Sequence, residues 1–272
     1  MGELFSKFFA DRGTHLAAMI AYFALLSFVP LLFLALALLG FAGRADESSF
    51  LVTELNKAFP SSSVDGILKV VRSVQDNAAT LGVIGALFVG WTSLSLFSVL
   101  ESAFNIVYGK PNRSFLHGKL IAVLLLVSSL VTLFVGLLVG SFGYEILQGF
   151  AEGFFANDYV AYGISVLIST VSVFVFLFAV YYLLTNEKLR FQEVLPGTIV
   201  ATIVLEASFQ LLPVYLRLSR DVLALQAFGA PALLLVWLYL MANVIVFGAE
   251  VNWWLARGRR QAVDLEEATG LA

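Results

Sequence analysis

The chain of 272 residues contains no cysteine and only two histidines, His15 and His117. Without thiols, disulfides, thiolate nucleophiles, iron–sulfur clusters and zinc–thiolate centres are excluded. Two histidines give little basis for a His-rich metal site, so no metal and no cofactor are expected. Charge is scarce as well: Asp, Glu, Lys and Arg make up 13% of the residues, against about a quarter in soluble domains. A formal net charge of −3 leaves no basic footprint, and no nucleic-acid partner is expected. The sequence also lacks His-Glu-x-x-His, a Ser–His pairing and nucleotide-binding motifs, and it is not read as an enzyme.

What takes the place of charge is hydrocarbon. The hydrophobic set accounts for 60% of the residues and the mean hydropathy is +0.92. In water such a chain would expose large apolar areas and aggregate; a bilayer accommodates them, and membrane lipids are the first expected partners. A spanning helix needs about 20 mostly apolar residues. Six segments qualify: 16–41, 81–104, 120–142, 160–184, 194–216 and 230–254. The first is too long for a secretory signal and reads as a membrane anchor. Spanning strands would be about ten residues long with alternating polarity. The expected fold is therefore all-α, a polytopic bundle of six transmembrane helices, with residues 1–272 forming one transmembrane domain.

Basic residues orient this bundle. With the N-terminus inside the cell, Lys7, Arg12, Lys110, Arg113, Lys119, Lys188, Arg190, Arg257, Arg259 and Arg260 fall on the cytoplasmic side. The outer side keeps Arg44, Lys57, Lys69, Arg72, Arg217 and Arg220. Both termini are thus expected in the cytoplasm. The first outer loop, residues 43–80, is long, and Val64, Ile67, Leu68, Val71 and Val74 recur there at helical spacing. Tyr144, Leu147, Phe150 and Phe154 form a similar outer stripe. Both read as short amphipathic outer helices. Leu4, Phe5, Phe8 and Phe9 suggest another on the cytoplasmic side.

Polar groups within apolar spans face the bundle interior as a rule, because hydrocarbon solvates them badly. On the second span Ser95, Ser98, Ser102 and Asn105 recur at three and four residues, with Glu101 beside them. They either join helices by hydrogen bonds or line a polar cavity, and both readings stand. Glu206 and Gln210 lie one turn apart near the middle of the fifth span. Glu206 has no basic neighbour on its own helix and must be protonated, paired across helices or hydrated. These seven residues are the candidate substrate path. Ser165, Ser169 and Ser172 on the fourth span favour packing. Asn243 and Glu250 share one side of the sixth span, Glu250 near Arg257 and within reach of water. Pro30 should kink the first span, with Ser27 one turn earlier satisfying a freed carbonyl. Gly136, Gly140 and Gly143 permit close helix approach.

At these residues the chain resembles the YihY/BrkB family of bacterial inner-membrane proteins. Ala21-Tyr22 with Ser27-Phe28-Val29-Pro30-Leu31 is similar to its opening signature. Trp91, with Ala103-Phe104-Asn105 and Tyr108, is similar to its second-span pattern. Pro196-Gly197 opens the fifth span, and Trp237-Leu238-Tyr239 precedes Gly248-Ala249-Glu250-Val251-Asn252 near the end. The resemblance covers about residues 10 to 256, and departs where Phe228-Gly229 replaces the family's Tyr-Gly pair. It implies six spans, the bacterial plasma membrane and a link to envelope integrity. It also carries a label, ribonuclease BN, which nothing in the residues supports. Two functions follow. One is a transporter or flippase of a lipid or lipid-linked envelope molecule. The alternative is a non-transporting scaffold whose outer helices recruit envelope proteins. Homo-oligomerisation is left open.

Overall fold

A computed structural model describes residues 2–41, 78–129, 158–219 and 230–269. Among these residues the structure is all-helical, with no strand. Seven helices follow in order: α1 (Gly2–Ala10), α2 (Gly13–Phe41), α3 (Ala78–Val107), α4 (Phe115–Ser129), α5 (Asp158–Leu184), α6 (Phe191–Ser219) and α7 (Ala230–Thr269). Most of the loop 43–80, the stripe Tyr144–Phe154, the glycines 136, 140 and 143, and Phe228-Gly229 lie outside the described residues, as do the side chains of Pro30 and Ser165.

By length and composition two described segments can cross a membrane, Phe191–Leu211 and Ala232–Gly258. Gly13–Ser27 within α2, Phe115–Ser129 of α4 and Ser169–Leu184 within α5 are shorter apolar stretches. Only 33% of either long segment is buried inside the molecule, so neither is the enclosed core helix of a soluble protein. Large apolar side chains such as Ile203, Leu211 and Leu167 stand outward instead. Outward apolar faces suit a hydrocarbon solvent.

Helix ends obey local chemistry. Arg12, at φ 58°, turns the chain sharply between α1 and α2. Gly109, at φ 62°, ends α3: Lys110 N–H donates to the Asn105 carbonyl (2.8 Å) and Gly109 N–H to that of Ile106 (3.0 Å). This left-handed stop uses the residue that adopts positive φ without a Cβ penalty. At the start of α6, Arg190 N–H donates to Glu193 Oε2 (2.8 Å), the carboxylate half of a capping box. The sixth span is expected over 230–254 and the apolar segment runs from Ala232 to Gly258; α7 continues beyond it to Thr269, because 255–269 is rich in Leu, Ala, Arg and Glu, all good helix formers. In the first span, α2 stays helical through Pro30. The expected relief by Ser27 is not made: its hydroxyl is buried with no hydrogen-bond partner.

α7 is the hub, and α2 and α6 make the most extensive packing on it. Ala17, Ala21, Phe104, Tyr181, Leu184, Ala201, Val246 and Ala249 are buried in the shared core. Small residues let the helices come close, while Phe104 and Tyr181 (ring centroids 5.2 Å apart) fill the space between α3 and α5. The end of α3, the end of α5, the start of α6 and the far part of α7 meet at one end, with α1 laid across it. The basic residues Lys7, Lys110 and Arg113 gather there.

Candidate functional site

Four polar arrangements are built on this frame. The first joins the basic-end loops. Arg113 projects from the α3–α4 connection, and its guanidinium donates to the Leu184 carbonyl (2.6 Å) and the Thr185 carbonyl (2.7 Å) at the end of α5. The same guanidinium lies 3.6 Å from the buried Glu101 carboxylate, which also accepts from Arg113 N–H (3.3 Å). Asn105 completes the tie: its side chain donates to Asn112 (3.0 Å) and accepts from Asn186 N–H (2.7 Å). Asn112 in turn donates to Ser102 (3.3 Å), and Lys119 to Ser98 (2.9 Å). Lys110 pairs with Glu187 across the same two loops (2.5 Å). The last carbonyls of a helix have no partner in the helix itself, and a planar fork of N–H groups satisfies two at once.

The second arrangement is a glycine crossing. Gly197 N–H donates to Asn252 Oδ1 (2.6 Å), tying α6 to α7. A methyl group built on Gly197 would collide with the Gly248 carbonyl and the Asn252 side chain. One built on Gly248 would meet the Tyr181 hydroxyl and the Ala201 side chain. Tyr181 itself donates to the Ile245 carbonyl (2.7 Å), binding α5 to α7.

The third surrounds Lys7 of α1. Its ammonium donates to the Val107 carbonyl (2.8 Å), pairs with Asp11, lies 3.1 Å from Glu250 Oε2, and sits 4.2 Å from the Trp253 ring centre. Glu250 is fully buried, 0% exposed. It therefore does not reach water beside Arg257, as its sequence position suggests; α1 covers it, and Arg257 stacks on Trp253 instead (5.3 Å).

The fourth lies at mid-helix. Ser169 of α5 donates to Glu206 Oε2 of α6 (3.1 Å), and Glu206 is only half-buried. One turn further on, Gln210 is exposed. The structure thus divides the seven path residues. Glu101, Ser102 and Asn105 share the basic-end network with Ser98. Ser95 donates to the Trp91 carbonyl one turn back (2.7 Å), and Ser98 likewise to that of Leu94. Glu206 is held by Ser169 of α5. Asn243 back-bonds to the Tyr239 carbonyl. Of the motif residues, Tyr22 and Trp91 face outward, Trp237 is buried, Pro196 is half-buried, Gly197, Gly248 and Asn252 cluster where α6 meets α7, and Glu250 faces Lys7 of α1. Sequence reasoning missed Lys7, Asp11, Arg113, Asn112 and Asn186. In the sequence Arg113 and Lys7 carry weight only as orienting charges. The signal available was an unpartnered buried acid, Glu101 or Glu250, which demands a cation from elsewhere.

An all-helical, outwardly apolar bundle whose polar ties concentrate at one end is a membrane protein. The chain belongs to the Virulence factor BrkB family, whose model matches residues 4–269. It is 27% identical to the ribonuclease-like protein YfkH of Bacillus subtilis (strain 168) over 263 residues, 92% of each chain. It is 25% identical to the UPF0761 membrane protein Nmul_A0452 of Nitrosospira multiformis over 249 residues, 90% of this chain and 58% of that one. A UPF0761 membrane protein of Vibrio atlanticus is 24% identical over 260 residues, 91% of this chain and 81% of its own. The chain thus spans nearly all of some relatives and little more than half of others. No solved structure matches it. The ribonuclease-like name belongs to YfkH; among the described residues of this chain no group of three His, Cys, Asp or Glu could hold a metal ion.

Proposed function

We propose that the protein is a single six-span domain of the bacterial inner membrane, with both termini cytoplasmic. In this reading it supports envelope integrity by moving a lipid or lipid-linked molecule between leaflets. The observation that carries this is the half-buried Glu206–Ser169 pair at mid-helix, with apolar side chains such as Leu167, Ile203 and Phe209 exposed around it. A carboxyl group at that depth is expensive in hydrocarbon, and functional transporters use such acids at substrate paths. Glu206, Gln210 and Ser169 would form a polar seam along which a headgroup passes while its tails stay in lipid. The network of Ser98, Glu101, Ser102 and Asn105 would close the seam's cytoplasmic end. The scaffold reading has its own support, because that network is hydrogen-bonded and the Arg113 fork holds it rigidly.

Vesicles containing the protein and a fluorescent lipid, with the outer leaflet bleached chemically, separate the two. Transport predicts bleaching beyond the outer half, slowed on the order of tenfold by Glu206→Gln, equivalent to about 1.4 kcal/mol at the barrier. Ser208→Ala, which removes only a bond to the Val204 carbonyl of the same helix, should leave the rate unchanged. Bleaching that stops at the outer leaflet with every variant would favour the scaffold.

Because the chain has no cysteine, single introduced thiols map its topology without background. Lys110→Cys and Lys188→Cys should react only with membrane-permeant maleimide in intact cells, and Arg220→Cys with impermeant maleimide. The opposite pattern would invert the proposed orientation.

A further inference from the structure

The surroundings of Lys7 resemble a binding site more than a surface ion pair. Four acceptors converge on one ammonium: the carboxylates of Asp11 and Glu250, the Val107 carbonyl and the face of Trp253. They come from the α1–α2 turn, α3 and α7. Carboxylates, carbonyls and an aromatic face are the groups that recognise alkyl-ammonium ions. The fit of Lys7 is incomplete. Glu250 is fully buried, yet neither of its oxygens has an aligned hydrogen bond, although Lys7 Nζ lies 3.1 Å away. A buried carboxylate without hydrogen bonds favours any occupant that donates better.

The ligand that fills the site is carried on a short element. α1 has nine residues, too few to be a stable helix alone. It is held by Leu4, Phe8 and ring contacts of Phe5 and Phe8 with Phe247 (5.4 and 5.9 Å). Beside it a groove of about 1250 Å³ opens between α1 and the end of α7, with Ser6, Lys7, Trp253, Trp254 and Arg257 on its walls. Glu3 also faces this groove, so its charge is mixed and suits a zwitterion better than a simple anion. Phe5 and Phe9, 51% and 65% exposed, give α1 an outward aromatic face of the kind that suits a membrane interface, where tryptophans also concentrate.

We propose that this cage is a receptor for primary alkyl-ammonium groups, occupied here by the chain's own Lys7. Amine-bearing membrane amphiphiles compete for it from the adjoining groove, with the ammonium at Glu250 and the phosphate at Arg257. The site is separate from the α5–α6 seam, so failure of one experiment leaves the other proposal standing.

The full chain, purified in detergent, tests the chemistry. Lys7→Ala should melt at a higher temperature when n-propylammonium chloride is added. Tetramethylammonium chloride, which has no N–H, should not stabilise it. Wild type, and the double variant Lys7→Ala with Glu250→Gln, should gain nothing from either salt. Equal effects of the two salts, or rescue that survives Glu250→Gln, would overturn the proposal. A second measurement keeps Lys7 intact and does not depend on that variant folding. Leu4→Cys carries a buried thiol under α1, and its maleimide labelling should be about tenfold faster in phosphatidylethanolamine nanodiscs than in phosphatidylcholine nanodiscs, the worth of one charge-assisted hydrogen bond. Equal labelling in the two lipids would remove the membrane amphiphile as competitor. Rescue by propylammonium alone would then leave Lys7 as the cage's only occupant and overturn the competition by membrane amphiphiles.

Discussion

Gly197→Ala should unseat α6 from α7 and cost on the order of 3 kcal/mol, the upper range for forcing extra volume into a packed interior. The added methyl group would meet the Gly248 carbonyl and the Asn252 side chain. A flexible side-chain tip could swing aside, but a carbonyl within a helix moves only with its helix. The same shift would stretch the bond that the buried Asn252 Oδ1 accepts from Gly197 N–H. Gly248→Ala should behave similarly, since its methyl group would strike the Tyr181 hydroxyl that holds α5 to α7. Gly258→Ala is the control. Nothing lies within 4 Å of its added methyl, and alanine in a helix should be neutral or stabilising by about 0.4–1 kcal/mol. Thermal melting of the three detergent-purified variants checks this order. A Gly197→Ala protein that melts with wild type would mean that the crossing is looser than described.

Arg113→Ala should be the most damaging single loss of a polar group, on the order of 3–5 kcal/mol, as for breaking a buried charge pair on one side. It would strand the Glu101 carboxylate, 5% exposed, and strip the donors from the Leu184 and Thr185 carbonyls. Arg113→Lys should recover only part of this, because an ammonium cannot span two carbonyls and a carboxylate in one plane. Combining Arg113→Ala with Glu101→Gln should cost less than the two separately, since the second change removes the orphaned charge. Strict additivity in melting or denaturant experiments would show that the two side chains are not coupled.

How far these features were legible follows from what each depends on. Helix positions follow from runs of apolar residues, a local property, and α5 and α6 begin and end within a few residues of the expected 160–184 and 194–216. α7 outlasts its apolar segment, Ala232–Gly258, because hydrophobicity stops there while helix propensity does not. The two buried acids were visible as polar residues in apolar surroundings, but their partners were not. Lys7 lies far from Glu250 in sequence, and which helix end meets which is decided by packing. The close helix approach was sought at Gly136 and Gly140, which share a familiar spacing. Those two lie outside the described residues; the described approach uses one glycine from each of two helices, Gly197 and Gly248, and no spacing within a single segment can announce that. Ser98 was read as a facing polar group, yet it takes part in two relations: it bonds to its own helix and accepts from Lys119.

The placement of the polar ties also sets the mechanics of the α5–α6 pair. Arg113 and Asn186 pin these two helices where they join, whereas Ser169–Glu206 is the bond described between them farther along. From Phe191 to Glu206 is roughly 22 Å at 1.5 Å per residue. A tilt of about 5° at the pinned end would therefore part Ser169 from Glu206 by about 2 Å over that lever, enough to exchange a direct bond for a guest oxygen while leaving the fulcrum undisturbed.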